Sequence, residues 1–90
     1  MMNVYYTANQ GRRNANGHVT TRGTVYIITR GDNTTPHGVD ALENIGDFSH
    51  MSGGAGIELT ILNMLEKYGI DTNGGYYGRG WREVVNLIEL

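Results

Sequence analysis

An amphipathic stripe between Ala55 and Tyr68 constrains the possible fold more than any other segment. At about 100° per residue, helical spacing places its recurring apolar side chains on one face. Leu62 widens that face, and Gly69 follows directly, as is usual where a helix ends. We therefore predict a helix over residues 55–68 on which the other elements pack. The apolar residues of the stripe are Ile57, Ile61, Met64, Leu65 and Tyr68.

Glu58 falls inside the apolar arc of this helix. A buried carboxylate there would have to be hydrogen-bonded, paired with a cation, bound to a metal or shifted in pKa. The alternative is that Glu58 is exposed to solvent at the open end of the arc, near the helix N-terminus, where the helix dipole favours a negative charge. The sequence leaves both interpretations open.

Two segments before the helix have the composition of β-strands. Residues 3–7 alternate Val4 and Tyr6 with Tyr5 and Thr7, and residues 18–30 are rich in β-branched side chains around Gly23. Residues 8–17 lie between them and end in Asn-Gly, a strong turn signal, so we interpret them as a polar loop. Residues 18–30 form either one long strand with a bulge at Gly23 or two strands joined there. Antiparallel pairing of the first strand with this segment is the natural arrangement.

The remaining regular elements are predicted to be helices. A short helix over residues 36–45 follows from Pro36 and the three-residue spacing of the apolar residues after it. In the tail, Trp81, Val84, Val85 and Ile88 recur at helical spacing, whereas a strand would place Asn86 on the face of Val84 and Ile88. The predicted fold class is therefore α+β. A small antiparallel sheet of two or three strands packs against the central helix (55–68), the short helix (36–45) and a C-terminal helix (81–89).

The composition limits the class of protein. A chain of 90 residues predicts a single domain over residues 1–90, and its 14 glycines make additional burial by a homo-oligomer plausible. The lack of cysteine excludes a disulfide framework and a cysteine-based zinc site. A net charge of −2 argues against a generally basic nucleic-acid binder and against a densely acidic DNA mimic. With neither a signal peptide nor a long apolar run, we expect a cytoplasmic protein with no membrane partner.

Arginines and aromatic residues concentrate in glycine- and asparagine-rich segments. Arginine binds phosphate or carboxylate bidentately, and aromatic rings stack on bases or anchor protein interfaces. If these segments meet at one end of the sheet, they form a polar cleft rimmed by aromatic rings. The alternative is that Tyr76 and Trp81 belong to the core and the arginines only solubilise the chain. The predicted ligand- or partner-binding residues are Arg12, Arg13, Tyr76, Tyr77, Arg79, Trp81 and Arg82.

No catalytic or metal-binding motif is evident. The spacing of His18, His37 and His50 matches no zinc pattern, and no P-loop, dinucleotide fingerprint or nucleophile elbow occurs. We therefore expect no cofactor, no metal and no catalytic residue.

A strand ending in Tyr6-Thr7, a return strand and a helix with Glu58 in its first turn resemble the front half of ribonuclease H folds. The resemblance covers about half the chain. It implies two magnesium ions held by carboxylates, which would activate water for phosphodiester cleavage, with Glu58 and Asp71 as ligands. Ala8 stands where that family has its first acidic residue.

We therefore predict a small non-enzymatic binding protein, of the viral accessory or inhibitor type. It would occupy a macromolecular partner or a nucleotide-like anion through its arginine and aromatic loops. A protein partner or such an anion is favoured over nucleic acid. The alternative is a metal-dependent phosphodiesterase with a reduced ribonuclease H-like fold. A third class is a structural oligomer in which the aromatic residues form the interface between copies.

Overall fold

The computed structural model of the chain describes residues 1–28, 42–51, 56–78 and 80–90. Its regular elements form one mixed sheet and one long helix. In chain order they are β1 (Met2–Tyr6), β2 (Asn9–Arg13), β3 (Val19–Ile27), β4 (Glu43–Met51), α1 (Ile57–Tyr68), the single-turn α2 (Gly75–Gly78), a 3₁₀ turn (Trp81–Glu83) and β5 (Val85–Glu89).

The long strand β3 organises the sheet. One edge of β3 pairs antiparallel with β4 over the length of both strands. The other edge pairs antiparallel with β1 and then with β2, in one register from Val4 opposite Ile27 to Gln10 opposite Thr21. β1 and β2 are therefore two halves of one interrupted strand, which forms a long hairpin with β3. β5 lies parallel to β1 on its outer edge and ends beside Tyr6, where the Leu90 N–H donates to the Tyr6 carbonyl.

The interruption at Thr7 depends on a glycine in the neighbouring strand. The Thr7 N–H donates to the Thr24 carbonyl, and the Thr7 Oγ1 accepts the Thr24 N–H, each at 3.0 Å. Because the hydroxyl takes that hydrogen bond, the Thr7 carbonyl turns over Gly23. A Cβ at Gly23 would lie 1.7 Å from the Thr7 carbonyl oxygen, so only glycine fits there.

The core lies between α1 and one face of the sheet. Ile61, Leu62 and Leu65 are completely buried and pack against sheet residues that include Val4 and Val25. Gly69 ends the helix in the left-handed conformation, as its position in the sequence predicts. The helix expected over residues 55–68 is therefore present over the described residues 57–68. Tyr68 departs from the predicted stripe, because it is 48% exposed and its hydroxyl donates to Glu43 Oε2 at 2.9 Å.

The predicted fold class is wrong in the size of its sheet and in its helices. The sheet has five strands rather than two or three, and the described residues contain only one helix of seven residues or more. Residues 9–13, expected in a polar loop, form β2, because they continue the register that β1 sets with β3. The tight turn at Asn16-Gly17 is present, with Gly17 at a positive φ of 80°.

The C-terminal helix over residues 81–89 is also wrong. A 3₁₀ turn covers Trp81–Glu83, and the strand β5 follows. The pairing partner of this segment is β1, at the far end of the chain, and the Met2 N–H donates to the Val84 carbonyl at 2.8 Å. Asn86 lies on the face of Ile88, where its side-chain amide donates to Asn3 Oδ1 at 3.2 Å. β5 carries apolar residues on both of its faces, with Val85 and Leu87 on the core side and Ile88 on the other, so its pattern also fits helical spacing.

The short helix predicted over residues 36–45 ends inside β4, so its last three residues are a strand. Residues 36–41 lie outside the described part of the chain, and Leu42 is not helical.

The element order implied by the resemblance to ribonuclease H folds is present, with β1 ending at Tyr6 and Glu58 in the first turn of α1. A further antiparallel strand, β4, stands between the return strand and the helix.

Within the described ranges, no helix combines the length and apolar character that crossing a membrane requires.

Candidate functional site

The hairpin separates the two groups of predicted binding residues. Arg12 and Arg13 lie at the end of β2, whereas the turn containing Trp81 and Arg82 precedes β5 and adjoins Met2, at the start of β1. At about 3.3 Å per residue, the interval from Met2 to Arg13 spans about 35 Å. The longest dimension of the protein is 45 Å. The two groups therefore do not form a single cleft.

The C-terminal aromatic residues are divided between core and surface. Trp81 is 4% exposed and belongs to the core, and the Arg82 guanidinium carbon lies 4.4 Å from the centre of its ring. Tyr76 is half-buried and Tyr77 is 79% exposed, with their rings in edge-to-face contact at 5.5 Å. Arg79 lies outside the described residues. This region thus offers one exposed ring rather than an aromatic cleft.

Arg82 is paired with the helix residue that breaks the apolar stripe. Its Nη2 lies 3.5 Å from Glu58 Oε2, and about half of the Glu58 side chain is exposed. The structure therefore agrees with the interpretation that Glu58 is exposed to solvent at the open end of the apolar arc. Because both partners reach solvent, this ion pair contributes little to stability.

The hairpin tip is held by its own side chains. Asn14 Oδ1 accepts the N–H groups of Asn16 and His18, each at 2.9 Å, and Arg13 Nη1 donates to the Gly17 carbonyl at 2.8 Å. These bonds close the turn between β2 and β3. The Arg13 guanidinium is therefore already engaged in the turn.

Arg12 and Arg22 meet on the face of the sheet turned away from α1. Arg22 lies opposite Asn9 in the hairpin, and a bulge between Gln10 and Arg13 brings Arg12 to the same depression, of about 410 Å³. Arg13 lies opposite Val19 and projects on the other face. We name this depression the arginine groove. Its lining residues are Asn9, Gln10, Gly11, Arg12, Thr20 and Arg22.

The two arginines of the groove have no carboxylate partner among the described residues, where the only ion pair is the one between Arg82 and Glu58. The charge distribution along the chain explains this. Residues 1–31 contain four arginines and no acidic residue, and residues 32–90 contain all nine acidic residues. Arg22 was not among the predicted site residues, although this acid-free stretch is visible in the sequence.

A second shallow depression, of about 540 Å³, continues the arginine groove along the sheet. The two share Asn9 and Arg22. The second is also lined by Thr7, Thr24 and Asp47, and the Thr24 hydroxyl donates to Asp47 Oδ1 at 2.7 Å. Arg12 thus lies toward one end of the combined surface and Asp47 toward the other, and Arg22 lies where the two depressions join.

The carboxylates that the ribonuclease H resemblance points to do not meet. Glu58 lies in the first turn of α1, and Asp71 lies beyond the other end of the helix. The helix rises about 15 Å between Glu58 and Tyr68. Asp71 Oδ1 accepts the N–H of Asn73 at 2.8 Å. Nowhere in the described residues do three or more potential metal ligands cluster. Glu58 and Asp71 therefore lie at opposite ends of α1 rather than in one paired site.

Tyr6 lies near the start of α1, in the field of two carboxylates. Burial raises the pKa of its phenol above the usual value, and the negative charges of Glu89 and Glu58 raise it further. Because the neutral phenol is favoured in the folded state, its contribution to stability is complete below pH 10 and is lost as the pH rises through the folded-state pKa.

We therefore expect Tyr6→Phe to flatten the alkaline loss of stability. The free energy of unfolding, measured by urea denaturation at a series of pH values, should fall above pH 10 more steeply in the wild type than in the variant. Between pH 7 and 9 the difference between the two proteins should stay constant, which serves as the internal control. Parallel curves over the whole range would contradict the assignment.

Comparison of the chain with protein-family models, with curated proteins and with solved structures found no match.

Proposed function

We propose that this chain is a non-enzymatic binding protein that holds an anionic partner in the arginine groove. The supporting observation is that Arg12 and Arg22 line one surface and that no carboxylate of the described residues forms an ion pair with either of them. Two guanidinium groups offer ten N–H donors in planar forks that suit phosphate, sulfate or carboxylate oxygens. The neighbouring side chains of Asn9 and Thr20 add neutral donors.

The shape of the surface favours a macromolecule over a small ligand. Small-molecule sites are usually concave and enclose most of the ligand behind apolar walls. The arginine groove is half open to solvent, and its lining residues are polar or glycine. A binding protein of this kind acts by occupying its partner, which is how an inhibitor or accessory protein works.

Chromatography on immobilised heparin, a sulfated polyanion, tests this proposal. We expect Arg12→Gln to elute at clearly lower salt than the wild type, because its guanidinium faces the groove. The matched control is Arg13→Gln, which removes the same charge from the adjacent residue on the other face. It should elute closer to the wild type.

The structure of each variant should be checked by circular dichroism and thermal unfolding, since Arg13 also holds the turn. If Arg13→Gln lowers retention as much as Arg12→Gln does, net charge rather than the groove governs binding, and the proposal is wrong. Failure of the wild type to bind heparin at low salt would also overturn it.

A further inference from the structure

We infer that the anionic partner is a nucleic acid, held by its phosphodiester backbone across the arginine groove. This inference rests on the proposed function and names the class of partner. The net charge of −2 argued against a generally basic nucleic-acid binder. That sum does not show that the basic and acidic residues are distributed unevenly along the chain. All three basic residues of the hairpin belong to the acid-free stretch of residues 1–31.

The chemistry of the lining residues distinguishes a nucleic acid from a protein partner. Protein interfaces derive most of their binding energy from aromatic and other large side chains buried at the centre of the contact. The arginine groove has no aromatic or aliphatic side chain in its lining, which consists of arginine, amide, threonine and glycine. Interfaces with nucleic acids are more polar and much more positively charged. The groove therefore fits phosphates better than a protein surface.

The shape of the groove allows a polymer to pass through it. The depression is open and continues past Asn9 and Arg22 toward Thr24. Gly11 has no side chain at the floor, so a phosphate can approach the backbone of β2 there. A linear polyanion can lie along such a surface, with successive phosphates against Arg12 and Arg22.

The acidic residues define how the nucleic acid approaches. Asp47 lies opposite Thr24 and is therefore a diagonal cross-strand neighbour of Arg22. Its charge repels phosphate, so the nucleic acid lies toward the Arg12 end. The other described carboxylates belong to β4, α1 and the segments after it. Their repulsion directs the hairpin rather than the helical side of the molecule toward the polyanion.

Binding of this kind has a characteristic profile. Contacts to phosphates carry no sequence information, so duplexes of unrelated sequence should bind with similar affinity. The logarithm of the binding constant should fall with the logarithm of salt concentration with a slope of about −2, since two arginines displace about two counterions. Each arginine that is removed should reduce that slope by about one.

Fluorescence anisotropy with a short fluorescein-labelled DNA duplex tests the inference. We expect the wild type to bind at low salt, Arg22→Gln to bind about tenfold more weakly with a shallower salt slope, and the double variant Arg12→Gln/Arg22→Gln to show no binding. Arg13→Gln is again the matched control. A second duplex of unrelated sequence should bind within about threefold of the first.

Competition with poly-L-glutamate separates this inference from the proposed function. If the protein binds labelled poly-L-glutamate through Arg12 and Arg22 but not the duplex, the nucleic-acid assignment is overturned and the proposed function stands. If the duplex binds but the double variant binds equally well, the groove is not the site and both fail. If the duplex binds, poly-L-glutamate does not displace it and the double variant fails to bind it, the nucleic-acid assignment and the proposed function are both supported.

Discussion

Replacing Gly23 with alanine should destabilise the protein by about 3 kcal/mol or more, because the new Cβ has no space. It would lie 1.7 Å from the Thr7 carbonyl oxygen and 2.8 Å from the Phe48 Cζ. The obstructing carbonyl is backbone, and it can move only if the hydrogen bonds between Thr7 and Thr24 are disturbed. A domain of this length has a total stability of about 5 to 13 kcal/mol, so the loss is a large fraction.

The free energy of unfolding is best followed through Trp81 in a urea titration, since it is the only tryptophan and lies in the core. Gly11→Ala is the matched control, because it lies in the same hairpin with its Cβ position 3.4 Å from the Thr20 carbonyl oxygen, an ordinary contact. Its effect should stay below about 1 kcal/mol. Equal effects of the two substitutions would show that the Thr7 carbonyl does not lie over Gly23.

Truncation of Leu65 to alanine should cost about 2 to 5 kcal/mol, as is usual for a leucine removed from a closely packed core. Leu65 is completely buried in the middle of the α1 face that covers the sheet. The lost methyl groups leave a cavity between the helix and the strands, and the surrounding side chains relax into it only in part.

Asn63→Ala provides the comparison for this second substitution. Asn63 lies on the exposed side of the same helix, so its truncation should change the free energy of unfolding by no more than about 0.5 kcal/mol. Both variants can be measured by urea denaturation monitored by circular dichroism. If Leu65→Ala changes the free energy of unfolding only slightly, α1 does not pack on the sheet in the way that the structure indicates.

The candidate site was only partly predictable. Arg12 was predicted to be a binding residue because an arginine in a glycine- and asparagine-rich segment is a local signal. Arg22 was not, since its position opposite Asn9 depends on the register of the hairpin. The register shift between Gln10 and Arg13 turns Arg13 to the other face and into the turn, so two adjacent arginines have different contacts. No sequence pattern distinguishes them.

Local patterns were sufficient where a segment's own side chains decide its structure. The helix α1 and the turn at Asn16-Gly17 were predicted, because helical spacing and the glycine conformation act within a few residues. The strands β2 and β5 were missed for the opposite reason. β2 contains no β-branched or aromatic residue, and β5 also fits helical spacing.

Both strands exist because distant backbone groups pair with them. β5 is hydrogen-bonded to β1, which lies more than eighty residues earlier in the chain, and β2 continues a ladder that begins at β1. The chain's own residues thus specified the helix, the sharp turn and an arginine-rich, acid-free beginning. The packed fold alone determined which arginines share a surface, because strand register rather than proximity in the chain sets the direction of each side chain.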